Sequence, residues 1–310
     1  MTAPNFFLIG APKCGTTALS EYLRQHPGVF FCTPKEPNFF NRDYADRDTP
    51  TLARYLDYFA AAGPGHTAVG EGSTAYLHSA VAVADILAFN PAARFLVMLR
   101  NPVETAPACH AQALLNGTED VADFRRAWAL QAQRRAGQRL PRGCREPKHL
   151  LYADYCRFAP QIGRLYATVP AAQRKVIVFD DFAADPGRTY AEVLEFLGLA
   201  AHRPAEFARV NERRAIRHPQ TYRALRYLGR WKRRLFGAAL PWGLNRYADR
   251  LLTRPATASH ADPAADFLRE YFRDDVAQLS ALLDRDLRHW TAAPQAKPEP
   301  MNTESARVPA

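Results

Sequence analysis

Short apolar runs alternate with amphipathic stretches over the first two thirds of the chain. Four runs have the length of a strand: NFFLI at 5–9, TAVGEGS at 67–73, RFLVMLR at 94–100 and KVIVFDDF at 175–182. Stretches with a helical spacing of apolar residues follow them, at 16–26, 79–91, 101–116 and 185–199. Strands that alternate with helices predict a parallel sheet with right-handed crossovers. The pattern therefore indicates an α/β fold with a central parallel β-sheet flanked by helices.

The character of the chain changes near residue 210. Residues 213–236 contain nine Lys or Arg and no acidic residue, and they also contain several aromatic residues. Residues 262–287 have the apolar spacing of a long amphipathic helix. The chain after Trp290 is rich in Pro, Ala and Glu, a composition typical of disorder. We predict an α/β core at 1–210, a basic segment and helical extension packed on that core at 211–290, and a disordered tail at 291–310.

Charge and cysteine content limit the classes of protein. The 310-residue chain has a formal net charge of +10, which favours an anionic partner such as a nucleotide, a nucleic acid, an acidic polymer or a membrane surface. Its five cysteines are scattered and form no C-x-x-C pair, so neither a disulfide framework nor a zinc site is expected. The N-terminal apolar run is too short for a signal peptide, and no stretch reaches the length of a membrane span. We expect a cytoplasmic protein with reduced thiols and no metal.

The motif GAPKCGTT at residues 10–17 lies between the first predicted strand and the first predicted helix. A Walker A loop has its lysine directly after the second glycine, whereas Lys13 comes two residues before Gly15. Amide groups at a helix N-terminus and the helix dipole favour an anion at such a position. Thr16 and Thr17 add hydroxyl donors, and Lys13 adds a charge. The motif predicts an anion site, and the alternative is a glycine turn with a solvated lysine.

Two further segments contain candidate functional residues. Arg100 ends the strand RFLVMLR, and ligands of open α/β sheets bind beyond the carboxyl ends of strands. Its guanidinium suits a phosphate, and a salt bridge to a helix C-terminus is the alternative. In the KEPNFF loop (residues 35–40), Lys35 and Glu36 lie between two prolines. Glu36 is a candidate general base beside a cation, and the alternative is a solvated ion pair.

Together these motifs resemble those of a known family. FFLIGAPKCGTTALSEYLRQHPGVF, KEPNFF, GEGSTAYL and FLVMLRNPVE have the order and spacing found in sulfotransferases that use 3′-phosphoadenosine-5′-phosphosulfate (PAPS), and VIVFDDFAADPGRTYAEVLEFLGL agrees. The chain is most similar to bacterial and heparan-sulfate-type members, from residue 5 to about 220. We therefore expect a P-loop-like central parallel β-sheet flanked by helices, with a helical C-terminal extension. The resemblance implies transfer of a sulfuryl group from PAPS, which leaves PAP.

The resemblance also implies roles for individual residues. The family loop that holds the 5′-phosphosulfate matches Pro12, Lys13, Cys14, Gly15, Thr16 and Thr17. Lys13 would stabilise the leaving phosphate, Glu36 would act as the base toward the acceptor hydroxyl, and Lys35 would lie near the transferred group. Arg100 matches the arginine that binds the 3′-phosphate. A phosphosulfate has no pair of phosphates bridged by a metal ion. The resemblance therefore explains why the lysine is displaced from the Walker A position, and it implies binding without magnesium.

Some positions depart from the family pattern. Ala108 stands eight residues after Arg100, where the family usually has a serine that helps to bind the 3′-phosphate. We predict that basic residues further along supply the missing contacts, and the candidates are Arg213, Arg214 and Arg217. Asn38 stands where the family often has histidine, which affects acceptor contacts. Glu71 and Ser73 are further candidates on the acceptor side, with Glu71 as an orienting carboxylate, an alternative base or a helix cap.

The sequence leaves the acceptor and several rival functions open. The expected acceptor is a small molecule or carbohydrate with a free hydroxyl, with an amine less favoured, and no nucleic-acid partner is expected. Residues 213–236 are interpreted as a solvated basic face, a weak contact for anionic membranes or a docking site for an acidic acceptor. The rivals are a P-loop kinase or NTPase with Asp180 and Asp181 as magnesium ligands, a non-catalytic protein that binds PAP or another anion, and a nucleic-acid or membrane binder.

Overall fold

A computed structural model describes residues 3–47, 49–204, 206–207, 214–216, 253–255 and 265–293. The strands of its central sheet are β1 (Phe6–Gly10), β2 (Val29–Phe31), β3 (Ala68–Glu71), β4 (Arg94–Leu99) and β5 (Arg174–Val178). Their order is β2-β3-β1-β4-β5, and every neighbouring pair is parallel. The predicted central parallel sheet is confirmed.

The middle of this sheet is apolar on both faces. All residues of β1 are buried, as are all residues of β4 after its first. The rings of Phe7 and Phe95 stack across the two strands, with 6.0 Å between centroids. A parallel sheet that is covered by helices on both faces has continuous apolar runs instead of an alternating pattern. This is why NFFLI and RFLVML mark the two central strands in the sequence.

Helices follow each strand of the sheet. The α-helices of the described part of the chain are α1 (Thr16–Leu23), α2 (Leu52–Asp57), α3 (Ala82–Phe89), α4 (Pro102–Asn116), α5 (Phe124–Ala129), α6 (Gln131–Arg135), α7 (Tyr152–Cys156), α8 (Phe158–Thr168), α9 (Phe179–Ala184), α10 (Pro186–Leu197) and α11 (Ala265–Leu282). Short 3-10 helices cover Pro147–Leu150, Ala171–Gln173 and Arg288–Trp290. Two further strands, β6 (Arg214–Ile216) and β7 (Thr253–Pro255), form an antiparallel pair.

Helices α4 and α10 have their start and stop signals in the sequence. Asn101 and Asp185 each accept a hydrogen bond at 2.9 Å from an amide of the first turn, and a proline follows each of them. Such a cap satisfies a donor that has no partner within the helix, and proline suits the first helical position. A glycine ends both helices. These signals explain why the two predicted helices are found nearly at their predicted bounds.

The last predicted strand is too long. The sequence predicts a strand at 175–182, but β5 ends at Val178 and α9 begins at the next residue. Asp180 and Asp181 lie in the first turn of α9, where the helix dipole favours acidic side chains. They also bind the C-terminal segment, because Asp180 accepts a hydrogen bond from Trp290 Nε1 at 2.7 Å and Asp181 pairs with Arg285. Contacts that are distant in sequence therefore end this strand.

Other elements have no clear sequence signal. Strand β2 has three residues, and α5, α6 and α7 have five or six. Helices of this length depend on packing more than on propensity. Helix α4 runs past Pro107 without a break.

The C-terminal helix α11 packs on the core, which confirms the predicted helical C-terminal segment. Its buried face contacts α8 and α4 and includes Leu268, Phe272, Val276 and Leu279. The carboxylate of Asp275 accepts hydrogen bonds from the backbone N–H groups of Phe158 at 2.9 Å and Ala159 at 3.2 Å. Asp275 thus caps the start of α8 from a distant part of the chain.

The proposed segment boundaries stay predictions. Most of residues 211–264, including nearly all of the basic segment 213–236, and the tail beyond 293 lie outside the described residues. Among the helices that are described, none combines the length and the apolar character that crossing a lipid bilayer requires.

Candidate active site

The candidate residues leave one edge of the sheet, where all five strands end. Residues 11–15 link β1 to α1, the KEPNFF loop follows β2, and residues 72–74 follow β3. Arg100 follows β4 and Phe179 follows β5. The chain places β2 and β3 on one side of β1 and β4 and β5 on the other, so β1 lies where the strand order reverses. Ligands of open α/β sheets bind at this place.

The turn into α1 leaves amide groups available to an anion. Gly15 precedes α1 with φ 91°, a left-handed conformation that favours glycine. A Cβ atom at this position would also lie 3.0 Å from the ring of Phe179. The backbone N–H groups of residues 13–17 have no acceptor within the described part of the chain. Unpaired amides at the start of a helix form a site for phosphate-like groups.

Lys13 places a positive charge on the same turn. Its backbone has φ 62°, and its exposed side chain donates to Gln112 Oε1 on α4 at 3.1 Å. The pKa of this ammonium is lowered, first because the surrounding protein removes part of its water and also because Arg100 is nearby. Lys13 therefore lies beside the unpaired amides, at the side of the loop that faces α4.

The side chains of Cys14 and Pro12 offer no polar group to an anion at this loop. The Cys14 side chain is completely buried, and its thiol donates to the carbonyl oxygen of Pro12 at 3.4 Å. Burial raises the pKa of the thiol to about 12. Pro12 has no N–H group to donate. Because its side chain packs into the core, Cys14 can offer an anion only its backbone N–H, and its place in the binding loop stays a prediction.

Lys35 connects the KEPNFF loop to the start of α1. Its ammonium donates to Glu36 Oε1 and to the carbonyl oxygen of Gly72, both at 3.0 Å, and lies 3.4 Å from Thr16 Oγ1. Thr74 donates to the other Glu36 oxygen at 3.2 Å. The Glu36 side chain is 41% exposed. A carboxylate that faces solvent is therefore held in place within two hydrogen bonds of the anion site.

Glu71 ends β3 and lies in the core. Its oxygens accept hydrogen bonds from Tyr55 at 3.0 Å, from Tyr76 at 2.9 Å, and from the hydroxyl and amide of Ser73 at 2.5 and 3.1 Å. Burial raises the pKa of Glu71 to about 7, against the opposing effect of these hydrogen bonds. Glu71 and Ser73 are both completely buried, so neither side chain touches an acceptor. Complete burial counts against Glu71 as an alternative base and favours the orienting role.

Asn38 lies on the KEPNFF loop with φ 51°. Its backbone N–H donates to Ser73 Oγ at 3.0 Å, and its side-chain amide donates to the carbonyl oxygen of Glu36 at 3.4 Å. Its Oδ1 is buried and has no hydrogen-bond partner among the described residues. The loop thus holds an unpaired acceptor atom next to Glu36.

Arg100 forms a salt bridge, but with a side chain in the first turn of α4 and not with the helix C-terminus that the sequence alternative names. It pairs with Glu104, one turn along α4, and lies over the ring of Phe179 at 4.6 Å from the centroid. Ala108 is half-buried on the same helix and has no polar side chain to offer a phosphate. Arg213 and Arg217 lie outside the described residues, and Arg214 is placed in β6 by its backbone alone. Phosphate contacts of these three arginines stay a prediction.

The candidate magnesium ligands of the NTPase alternative have other partners. Asp180 accepts hydrogen bonds from Trp290 Nε1 at 2.7 Å and from His289 Nε2 at 2.9 Å. Asp181 pairs with Arg285, which lowers the pKa of the aspartate. Over the residues that the structure describes, no three His, Cys, Asp or Glu side chains are arranged to hold a metal ion. These contacts count against magnesium binding at this pair.

Several residues that shape the site are missed by sequence reasoning. Thr74 and Tyr76 lie within the GEGSTAYL motif, where their hydroxyl groups are a signal that could have been used. Gln112 and Phe179 come from α4 and the start of α9 and carry no local motif. Their contacts depend on how separate elements pack, so only the structure identifies them.

The chain is similar to known proteins in both sequence and fold. The family described as "Sulfotransferase domain" matches residues 3–228. The crystal structure of a sulfotransferase from Alicyclobacillus acidocaldarius is similar over 94% of this chain and 100% of that one, with a TM-score of 0.69 and 25% identity.

Two curated relatives are similar over a shorter part of their length. The human bifunctional heparan sulfate N-deacetylase/N-sulfotransferase 3 is 29% identical over 208 residues, which is 64% of this chain and 23% of the relative. The mouse heparan sulfate glucosamine 3-O-sulfotransferase 3B1 is 28% identical over 196 residues, 63% of this chain and 46% of the relative. The chain thus spans less than half of either relative. Because the family match covers more than half of this chain, the protein belongs to the sulfotransferase domain family and is a transferase.

Proposed function

We propose that this protein transfers the sulfuryl group of PAPS to a hydroxyl of an acceptor, which yields PAP and a sulfate ester. The observation that carries the proposal is the position of Lys35, whose ammonium contacts both Glu36 at 3.0 Å and Thr16 at 3.4 Å. A base and an anion site must lie close together for a hydroxyl to attack a bound phosphosulfate. Lys35 links the two.

The loop between β1 and α1 is the proposed site for the 5′-phosphosulfate. Negative charge grows on the phosphate as it leaves. It is stabilised by the unpaired amides of residues 13–17 and by the Lys13 ammonium. One fixed donor aimed at a developing charge contributes about 2.7–4 kcal/mol to catalysis. Arg100 is the proposed 3′-phosphate contact, and Glu104 must then share or release its guanidinium.

Glu36 is the proposed general base. Lys35 and Thr74 each hold one of its oxygens, and a carboxylate oxygen has a second lone pair that can accept a proton. The acceptor oxygen forms a bond to sulfur while the bond between sulfur and the phosphate oxygen breaks. The hydroxyl proton passes to Glu36, and the electron pair of the broken bond stays on the phosphate of PAP.

A carbohydrate hydroxyl is the favoured acceptor class, and a small-molecule hydroxyl is the next. The names of two relatives state heparan sulfate as their substrate, which supports a carbohydrate.

The test begins with the nucleotide. Thermal unfolding is followed with PAP and, separately, with ATP and magnesium. We expect PAP at a hundred times its dissociation constant to add about 2.7 kcal/mol, a shift of roughly 4–5 °C, and ATP with magnesium to add little. The opposite pattern would favour the kinase or NTPase alternative.

The second step measures transfer of labelled sulfate from PAPS to desulfated heparan-type polysaccharide and to simple phenols and sugars. We expect Glu36→Gln to lower kcat by about 10²–10⁴-fold and to keep PAP affinity within about twofold, because the base acts on the proton and not on the nucleotide. Binding of PAP without transfer to any acceptor would indicate the non-catalytic alternative.

A further inference from the structure

The hydroxyl of Tyr76 holds two backbone amides of the KEPNFF loop. Phe39 N–H donates to it at 2.9 Å and Phe40 N–H donates at 3.2 Å. A hydroxyl oxygen has two lone pairs and one proton. The two amides occupy both lone pairs, so the hydroxyl can only donate its proton. It donates to Glu71 Oε1, with 2.9 Å between the two oxygens.

Ser73 repeats this arrangement on the other side of the carboxylate. Its hydroxyl oxygen accepts a hydrogen bond from the backbone N–H of Asn38 at 3.0 Å. The same hydroxyl donates to Glu71 Oε2, with 2.5 Å between the two oxygens. Three consecutive amides of the KEPNFF loop, at residues 38–40, therefore bind hydroxyl groups whose protons point to one carboxylate. All three side chains of this network are completely buried, so water does not compete for these hydrogen bonds.

We infer that Glu71 is a positioning residue for the base. By accepting the protons of Ser73 and Tyr76, it turns their oxygen lone pairs toward the loop amides and so fixes the backbone that carries Glu36. This inference rests on the proposed function, in which Glu36 takes the acceptor proton. The charge of Glu71 acts here through two hydroxyl groups, and Glu71 itself touches neither donor nor acceptor substrate.

Tyr55 provides a matched control. It donates to the same Glu71 oxygen as Tyr76, at 3.0 Å, and is equally buried. Within the described residues its hydroxyl contacts no amide of the loop. Its ring stacks on that of Phe39 at 4.7 Å, and phenylalanine would preserve this contact. Tyr55→Phe and Tyr76→Phe thus remove the same kind of hydrogen bond to Glu71, but only the second also releases loop amides.

The protonation state of Glu71 must be controlled in the experiment. The titratable groups packed around it are Tyr55 from α2, Tyr76 from the segment after β3, and Cys32 after β2, whose thiol pKa is raised by burial and by the Glu71 charge. Lys35 binds the carbonyl of the neighbouring Gly72. Because the pKa of Glu71 is about 7, pH 8.5 keeps it ionised.

The first readout is hydrogen exchange of the amides of residues 38–40, resolved by residue, in the full-length protein at pH 8.5. We expect Tyr76→Phe to speed exchange of Phe39 and Phe40 at least tenfold and Tyr55→Phe to leave both within about twofold. Glu71→Gln is expected to speed all three amides, since an amide side chain cannot accept both hydroxyl protons and the Ser73 amide in the same way.

The second readout is kinetic. Tyr76→Phe is expected to lower kcat for sulfuryl transfer by roughly 10- to 100-fold, the scale of a displaced catalytic group, while PAP affinity stays within about twofold. Tyr55→Phe is expected to keep kcat within about threefold of the wild-type value. If the two tyrosine variants change exchange and kcat equally, or neither changes them, the network is only structural and the inference is wrong.

Failure of the proposed function has a different signature. If the wild-type protein transfers a sulfuryl group to no acceptor, the proposed role of Glu36 as base is wrong, independently of the results with the variants. Amide exchange does not depend on turnover, so it still decides whether Glu71 fixes the loop through Ser73 and Tyr76. If the Glu71→Gln variant does not fold, the comparison of Tyr76→Phe with Tyr55→Phe is sufficient to test the inference.

Discussion

Among the residues that the structure describes, the guanidinium of Arg100 pairs with the carboxylate of Glu104 and lies over the ring of Phe179. Its Nη2 bonds to Glu104 and the guanidinium has further N–H groups, so a 3′-phosphate that binds Arg100 as proposed either shares it with Glu104 or displaces that carboxylate. The ion pair is partly exposed, and exposed pairs contribute about 0.2–1 kcal/mol. In the proposed nucleotide site, Glu104 is therefore expected to lower the affinity for PAP by a modest factor.

Removing this competition is expected to tighten nucleotide binding. Glu104→Gln should lower the Kd for PAP by about 1.5- to 5-fold, the factor that corresponds to 0.2–1 kcal/mol, as measured by titration calorimetry. Glu195→Gln, at an exposed position on α10, should leave it unchanged. Weaker PAP binding in Glu104→Gln would mean that Arg100 needs Glu104 for its position and does not compete with it.

The buried Glu71 makes stability depend on pH. Its pKa is raised from 4.5 to about 7, so between these values the folded protein keeps a proton that the unfolded chain releases. Stability therefore falls as pH rises from about 4.5 to 7, by roughly 3 kcal/mol from this residue. Glu71→Gln should remove this part of the pH dependence in urea unfolding curves. An unchanged slope would show that Glu71 is ionised throughout the range.

The sequence identifies the residues of the site that lie in contiguous motifs. Lys13, Lys35, Glu36 and the loop glycines are found together at one sheet edge, because parallel strands bring their carboxyl ends there. The sequence cannot show that the Cys14 side chain turns inward, since a single residue gives no measure of burial. The partners of Glu71 are equally hidden, because they come from separate elements.

At the scale of elements, long apolar runs and capped helices are predictable and short elements are not. Strands β1 and β4 and helices α4 and α10 have complete local signals. The end of β5 at Val178 is decided by contacts of Asp180 and Asp181 with residues more than a hundred positions away. Local patterns contain no information about such contacts, and this is why the predicted strand runs on into α9.

Helix α8 depends on a cap from α11. Asp275→Ala should lower the free energy of unfolding by about 0.5–2 kcal/mol, the usual effect of losing an N-terminal cap. Asp274→Ala, at the neighbouring exposed position, should change it by no more than about 0.5 kcal/mol. Urea unfolding at pH 8 gives both values. Equal effects of the two substitutions would show that the hydrogen bonds of Asp275 to α8 do not stabilise the fold.

At the scale of the whole molecule, the formal charge of +10 should act on every anionic ligand. Attraction between a basic protein and an anion is screened by salt, with a Debye length of about 10 Å at 0.1 M. The Kd for PAP is therefore expected to rise severalfold between about 50 and 300 mM NaCl. Adenosine, which has no phosphate, is the control. The same salt dependence for both ligands would exclude electrostatic attraction as its cause.

The cap of α8 by Asp275 also affects the order in which parts of the protein become stable during synthesis. The carboxylate lies 117 residues after the amide it caps. At roughly 5–20 residues per second, α8 leaves the ribosome about 6–25 s before its cap is made. A nascent chain stalled before residue 275 therefore has every strand of the main sheet but an open helix start, and it should be cut by proteases near residue 157 until translation resumes.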